Sequence, residues 1–290
     1  MRLRTLPVSV AGVVAGTACA AYHHGFAVAP MLICLAFAVL AQIASNFANE
    51  YYDFKNGLDK KGREGFRRGV TEGDISPSAM RNATFGLLLA DSLIGCSLIW
   101  WGGWWLIPVG IAIAIFALAY STGPYPLSHH GLGDIAVVIF FGFVPVIFTE
   151  YVQTQELNLD AVTLCSSLAV GLLAANVLIV NNYRDYEDDK AVGKRTTVVI
   201  FGRKAMSAVY LVNGIVASVC LAIATGWSPT WTVGGAASLF ISYIDLWKRL
   251  KRLRGAALNK MLKYTSIALL IAAIYLLVVL CVWPQGAYRH

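Results

Sequence analysis

Mostly apolar stretches of about 20 residues recur along this chain, and its basic residues collect in alternate gaps between them. A bilayer core about 30 Å thick takes about 20 mostly apolar residues per helix. Stretches of that kind fall at roughly 6–22, 26–50, 79–101, 103–121, 132–152, 159–182, 204–226, 228–247 and 259–283. Breaks separate several of them: His23-His24-Gly25, Gly102-Gly103, Pro124 with Pro126, and Gly226-Trp227-Ser228-Pro229. A soluble fold is excluded by what would have to cover its surface. Residues of the AVILMFWYC set make up 58% of the chain and charged residues 13%, the latter about half the soluble norm of about 25%. The expected fold is all-α and polytopic, with nine transmembrane helices around a central cavity and a single domain over residues 1–290.

The basic residues orient the chain. With the N-terminus in the cytoplasm, Arg2 and Arg4 lie inside. So do Lys55, Lys60, Lys61, Arg63, Arg67, Arg68 and Arg81 around the loop after the second span. The loop after the sixth holds Arg184, Lys190, Lys194, Arg195, Arg203 and Lys204. The run from Lys248 to Arg254, with Lys260 and Lys263, lies between the eighth and ninth. Of the 23 Lys and Arg, only Arg289 falls on the other side. This is the positive-inside asymmetry. The net charge of +7 therefore reflects topology and contact with anionic lipid, not nucleic-acid binding. All six cysteines fall inside apolar spans without metal-type spacing, as packing residues do. The first span lacks a small-residue cleavage site and is expected to be a retained helix.

Polar chemistry concentrates in two segments at inner helix ends. One runs from Gln42 through Asn46, Asn49 and Asp53 to Asp59; the other runs from Asn181 and Asn182 through Asp185 and Asp189 to Lys194 and Arg195. Each contains Asn-x-x-x-Asp. Gln42, Asn46, Asn49 and Asp53, at i, i+4, i+7 and i+11, form one helical stripe. Asn182, Asp185 and Asp189 share another. A polar stripe on an apolar helix must face a protein interior or a wet cavity. Facing carboxylates repel unless a cation sits between them. An oxygen-only set of Asp and Asn suits Mg²⁺ better than Zn²⁺, and Mg²⁺ characteristically shares one or two carboxylates with substrate phosphates. Lys194, Arg195, Arg67 and Arg68 are placed to hold the far side of a phosphate. A phosphate site at a membrane rim above an apolar cavity points to a lipid diphosphate.

These segments resemble those of the UbiA superfamily of intramembrane prenyltransferases, which carry Asn/Asp-rich motifs after the second and sixth of nine helices. The similarity covers nearly the whole chain. It is greatest to the branch that prenylates 1,4-dihydroxy-2-naphthoate in menaquinone synthesis. It rests on Asn49 to Asp59, on Tyr120-Ser-Thr-Gly123-Pro124-Tyr-Pro126 with Gly131-Leu-Gly133-Asp134 and Phe141-Gly142, and on Asn181 to Thr196. The first motif departs from the superfamily's general form: Gly57 stands four residues after Asp53, and the next Asp is Asp59. Glu50 occupies a position where many relatives have Asp.

The resemblance implies Mg²⁺-dependent transfer of a polyprenyl group from polyprenyl diphosphate to the naphthoate, with loss of CO₂. It implies a bacterial cytoplasmic membrane, with the site on the cytoplasmic side. By that resemblance Asp53, Asp59, Asp185, Asp189 and Asn49 hold the metal. Asp53, Asp185, Asn49 and Lys194 carry catalysis. Arg195, Arg67, Arg68, Tyr183, Tyr120, Asn46, Asn182 and Asp134 bind substrate. Phe47, Phe54, Tyr51, Tyr120 and Tyr183 are placed to stabilise an allylic cation, although packing or interfacial anchoring accounts for such rings as well. Asp91, inside the third span, fits either a functional charge or one helix–helix hydrogen bond. His129-His130 reads as a loop pair or an acid/base near the acceptor. Other superfamily acceptors, 4-hydroxybenzoate or homogentisate, remain open, as does a secondary transporter with two repeated motifs.

Overall fold

The computed structural model describes residues 5–59, 61, 67–226 and 231–282. Arg2, Arg4, Lys60, Arg63, Arg289 and the Trp227-Ser228-Pro229 part of the expected turn lie outside the described residues. The protein is 83% helix and, among the described residues, has no strand.

Helices α1 (Leu6–Tyr22) and α2 (Val28–Lys55) are followed by the single turn α3 (Gly69–Glu72), then by α4 (Pro77–Ser97), α5 (Ile99–Gly102) and α6 (Leu106–Ala119). Next come α7 (Gly133–Val137), a π-helical turn (Val138–Phe143) and α8 (Val144–Thr154), which form one continuous rod. The remainder is α9 (Ala161–Arg184), α10 (Tyr186–Ala191), α11 (Thr197–Ala224), α12 (Trp231–Arg252) and α13 (Leu258–Val282). Six helical runs are long and apolar enough to cross a membrane: Val28–Lys55, Pro77–Gly102, Gly133–Thr154, Ala161–Arg184, Thr197–Ala224 and Gly255–Val282. Leu6–Tyr22 and Leu106–Ala119 are apolar but shorter, and α12 gathers Arg249, Lys251 and Arg252 in its last turn.

Local chemistry sets the ends. Ser76 caps α4 by accepting from the Ala79 amide, with Pro77 in the first turn. Asp160 does the same for Thr163 at the head of α9, and Thr196 for Val199 at the head of α11. Two boundaries differ from the hydropathy pattern in an informative way. The apolar stretch ends near residue 50, but α2 continues to Lys55, so Asp53 is on the helix itself. Gly202 (φ 80°) kinks α11 near its start and sets Thr197–Phe201 off from the longer apolar run that follows Arg203 and Lys204.

The π-turn also has a cause. Pro145 has no amide proton to donate, and its ring crowds the carbonyl four residues earlier. Widening the preceding turn relieves this, and Gly142 within it lets α9 approach closely. A Cβ on Gly142 would lie 2.5 Å from the Ser167 carbonyl oxygen and 2.6 Å from the Gly171 Cα. Helix α9 is the buried centre of the molecule, packed against α1, α11, α13 and the π-turn. Helices α2 and α4 pack together on the other side. Between these groups lies a cavity.

Candidate active site

The cavity has a volume of about 440 Å³. On α2 its wall runs from Cys34 to Asn49, 15 residues, or about 22 Å at 1.5 Å per residue. The deep part is apolar, lined by Phe37, Phe116, Phe140, Phe141, Phe148 and aliphatic side chains. The other end is polar and is built from three segments.

Helix α2 contributes Asn46 and Asn49 to this wall, and the loop before α3 contributes Arg68. The end of α9 and the start of α10 contribute Asn182, Asp185 and Asp189. The loop before α11 contributes Lys194, and the central segment contributes Tyr120 and Asp134. Asp53 sits just behind this wall, 2% exposed, with three basic side chains turned toward it. Arg68 Nη2 and Lys194 Nζ approach Oδ2 at 3.4 and 3.5 Å, and His129 Nε2 approaches Oδ1 at 3.6 Å. Arg68 Nε also lies 3.4 Å from Asp59 Oδ2. Asp53 and Asp59 thus hold Arg68 at the mouth, and Asp53 holds Lys194. On the facing helix, Arg184 forms a bidentate pair with Asp185 at 2.7 and 2.8 Å. It also donates to Asn181 and to Asn259 of α13.

Two side chains support the site in ways that the sequence did not reveal. Glu50 Oε1 accepts from the Val70 amide at 3.2 Å, fixing the turn that carries Arg68. His129 reaches Asp53 because the central loop is tied to the second motif. Arg195 N donates to the His129 carbonyl, within a short parallel bridge between His130 and Arg195. The His129-His130 pair marked the loop in the sequence, but nothing there linked it to Asp53.

That bridge also separates two neighbours. Side chains alternate along extended chain, so Lys194 and Thr196 line the cavity while Arg195 is exposed. Arg195 as a phosphate ligand is therefore not supported by its position. Arg67 is likewise outside: its guanidinium is exposed and bidentate to Asp74 at 2.8 and 2.7 Å. Tyr183 follows Asn182 on α9 and is turned about 100° from it. It is buried against the guanidinium groups of Arg203 and Arg254, each 5.6 Å from its ring, and does not line the cavity.

A divalent cation fits the donors present. The cavity face offers the Asn49, Asp185 and Asp189 oxygens, and Asn49 Oδ1 is buried with no hydrogen-bond partner. Among the described residues, no three His, Cys, Asp or Glu side chains form a ready-made cage. One amide and two carboxylate oxygens on the cavity face suit Mg²⁺, which takes few protein ligands and completes its shell with water and phosphate.

Fold and cavity together define an integral membrane protein that can take an anionic group at a charged mouth and an apolar chain beneath it. The chain belongs to the UbiA prenyltransferase family, whose profile matches residues 9–272. It is therefore a prenyl-transferring enzyme. Over 245 residues it is 34% identical to the 1,4-dihydroxy-2-naphthoate octaprenyltransferase of Haemophilus influenzae, covering 80% of this chain and 77% of that one. Its fold is similar to the apo structure of a UbiA homolog from Aeropyrum pernix, with a TM-score of 0.69 at 17% identity over 96% of this chain and 98% of the other. A UbiA homolog from Archaeoglobus fulgidus bound to DMAPP and Mg²⁺ superposes with a TM-score of 0.65 at 16% identity, covering 97% and 99%.

Proposed function

We propose that the protein transfers a polyprenyl group from polyprenyl diphosphate to 1,4-dihydroxy-2-naphthoate, releasing diphosphate and CO₂ and giving demethylmenaquinol. The observation that carries this reading is one cavity, about 22 Å long on its α2 wall, with basic side chains, Asp and Asn at its mouth and an apolar part beneath. The naphthoate specificity named for the Haemophilus influenzae relative supplies the acceptor. In the membrane, α1, α6 and α12 cross along with the six longer runs, making nine spans. The N-terminus and the charged mouth then face the cytoplasm of a bacterium, where positive-inside charge puts them.

Asn49, Asp185 and Asp189 would hold Mg²⁺ on the cavity face, with Asp53 and Asp59 behind them. When bound, the ion supplies Lewis-acid neutralisation of the leaving diphosphate. Arg68 and Lys194 bind the same diphosphate and stabilise its charge as the C–O bond breaks. Asp53 keeps both cations aimed at the mouth. Asn46, Asn182 and Tyr120 line the stretch just below and position the reacting ends. The apolar chamber takes the prenyl tail and keeps water from the allylic cation. The electron-rich ring attacks through its carboxylate-bearing carbon, and loss of CO₂ restores aromaticity.

Detergent-purified protein given the naphthoate and a polyprenyl diphosphate should yield, by mass spectrometry, a prenylated product lighter by CO₂. EDTA and Asp185→Ala should each abolish it. Diphosphate release with 4-hydroxybenzoate but not with the naphthoate would replace the acceptor. No diphosphate release with any aromatic acceptor, from folded protein, would overturn the reading.

A further inference from the structure

Two polar side chains deep in the cavity have no part in holding diphosphate. Asp91 of α4 is 5% exposed and Gln42 of α2 is 9% exposed, and both line the cavity. Asp91 Oδ1 and Gln42 Oε1 are each buried without a hydrogen-bond partner. The Gln42 amide nitrogen is occupied, donating to Thr5 Oγ1 at 3.3 Å, so the oxygen is its available atom. A buried acceptor left unpaired is destabilising, and more so when charged. Two of them in one cavity wall are therefore expected to meet a donor that a bound ligand brings.

They lie at one depth. Helices α2 and α4 are antiparallel neighbours, and a Cβ built on Gly95 comes 2.9 Å from Phe37 Cε2. One turn toward the mouth from that level brings Asp91 on α4 beside Ala41 and Gln42 on α2. Asn49 stands seven residues further along, about 10 Å. The basic side chains of the cavity wall, Arg68 and Lys194, are at the mouth. Below them, this level offers acceptors to a ligand with hydroxyl donors. On the proposed function, a diphosphate at the mouth directs its allylic carbon toward this depth, and the acceptor ring must meet it there.

We infer that Gln42 and Asp91 form the hydroxyl-binding subsite of the aromatic acceptor, with Asp91 taking and returning a proton of the hydroxyl beside the reacting carbon. The inference rests on the function proposed above. As the carboxylate-bearing ring carbon bonds to the allylic carbon, the allylic C–O bond breaks and diphosphate leaves with its electron pair. The adjacent hydroxyl becomes a ketone, and its proton passes to Asp91. The result is a β-keto acid, which loses CO₂ readily. The pair from the breaking C–C bond re-forms the ring double bond, and the oxygen recovers its proton from Asp91. Asp91 ends as it began, and no oxidant or reductant is required.

The test compares wild type with Asp91→Asn, Asp91→Glu and Gln42→Met in detergent, scoring kcat, KM for each substrate and thermal midpoint. A positioned general base contributes about 10²–10⁴-fold. Asp91→Asn should therefore lower kcat at least 100-fold while leaving the KM for polyprenyl diphosphate within twofold and the midpoint unchanged. Asp91→Glu should recover part of the rate. Gln42→Met should raise the naphthoate KM alone. Acceptor binding to metal-free protein, followed by equilibrium dialysis, should weaken in Gln42→Met without any turnover being needed. Wild-type rates in Asp91→Asn, or a loss shared equally by both KM values and the thermal midpoint, would overturn the inference and leave the proposed function standing. A wild-type enzyme that does not prenylate the naphthoate would remove both.

Discussion

Arg67 and Arg68 are adjacent, equally basic and in the same loop, yet the fold gives them opposite surroundings. Arg67 pairs with Asp74 in water; that carboxylate is held below its usual range by hydrogen bonding to the guanidinium. Exposed pairs of this kind contribute little. Arg68 is 4% exposed, between Asp53 and Asp59, with one edge on the cavity. Arg67→Ala should keep kcat/KM within about twofold of wild type. Arg68→Ala should lower it by about 10²–10³, the usual loss when one donor to a developing anion is removed. Steady-state rates on the same donor separate the two, and equal losses would mean that Arg68 has no special place. Sequence spacing located Asn49, Asp53, Asp185 and Asp189 because a helix converts spacing into direction. It could not choose between Arg67 and Arg68, or between Lys194 and Arg195, since irregular chain has no period from which to read direction. Asp134, both of whose carboxylate oxygens are shielded without a hydrogen-bond partner, was visible only through the motif around it.

At the scale of elements, the end remote from the charged mouth is held by a polar clamp. His23, just after α1, lies 2.7 Å from Glu150 of α8 and 3.1 Å from Asp160, the cap of α9. Glu150 also accepts from Thr163 Oγ1 at 2.7 Å. The hydrogen bonds to Asp160 and Glu150 raise the His23 pKa to about 10, and the same His23 bond lowers that of Asp160. A histidine whose folded pKa exceeds its unfolded value of about 6.5 contributes fully below that pH, and loses its contribution as pH rises toward 10. The Asp160 contribution is present above about pH 3.9 and fades as pH falls through its depressed folded value. The thermal midpoint of wild type should therefore decline between about pH 6.5 and 10, and this slope should flatten in His23→Gln. Parallel curves would show that the clamp adds nothing.

The contact between the π-turn and α9 makes a second demand at this scale. A Cβ on Gly171 would come 2.7 Å from the Val138 carbonyl oxygen, which is backbone and cannot swing aside. Gly171→Ala should cost about 1–3 kcal/mol, as overpacking does, and lower the midpoint in a detergent melt. A midpoint at the wild-type value would mean that the helices part without strain. Neither the clamp nor this contact was foreseeable from hydropathy, because both depend on which helices become neighbours, whereas hydropathy reports only which segments are apolar.

For the whole molecule, the pattern of apolar stretches and basic gaps already determined an all-helical membrane protein with its chemistry at one end. The cavity's depth and its walls come from tertiary packing alone. Cys34 and Phe148, far apart in sequence, both line its deep part, and α6 with the residue before it meets the π-turn and α8 through rings, Phe116 stacked on Phe140 at 3.5 Å and Trp105 tilted against Phe148 at 5.5 Å. Because the mouth binds the same diphosphate whatever the tail, the chamber beneath should set how tail length affects rate. Ala38 lines the chamber 11 residues below Asn49 on α2, about 16 Å from the mouth. Ala38→Phe puts a ring across that depth and leaves the mouth untouched. A short donor such as geranyl diphosphate should then retain most of its kcat/KM, while a donor of eight prenyl units should lose at least tenfold, through a tail forced out of the apolar wall. No loss with either donor would indicate that long tails leave the chamber above residue 38. The deep end would then be spare volume.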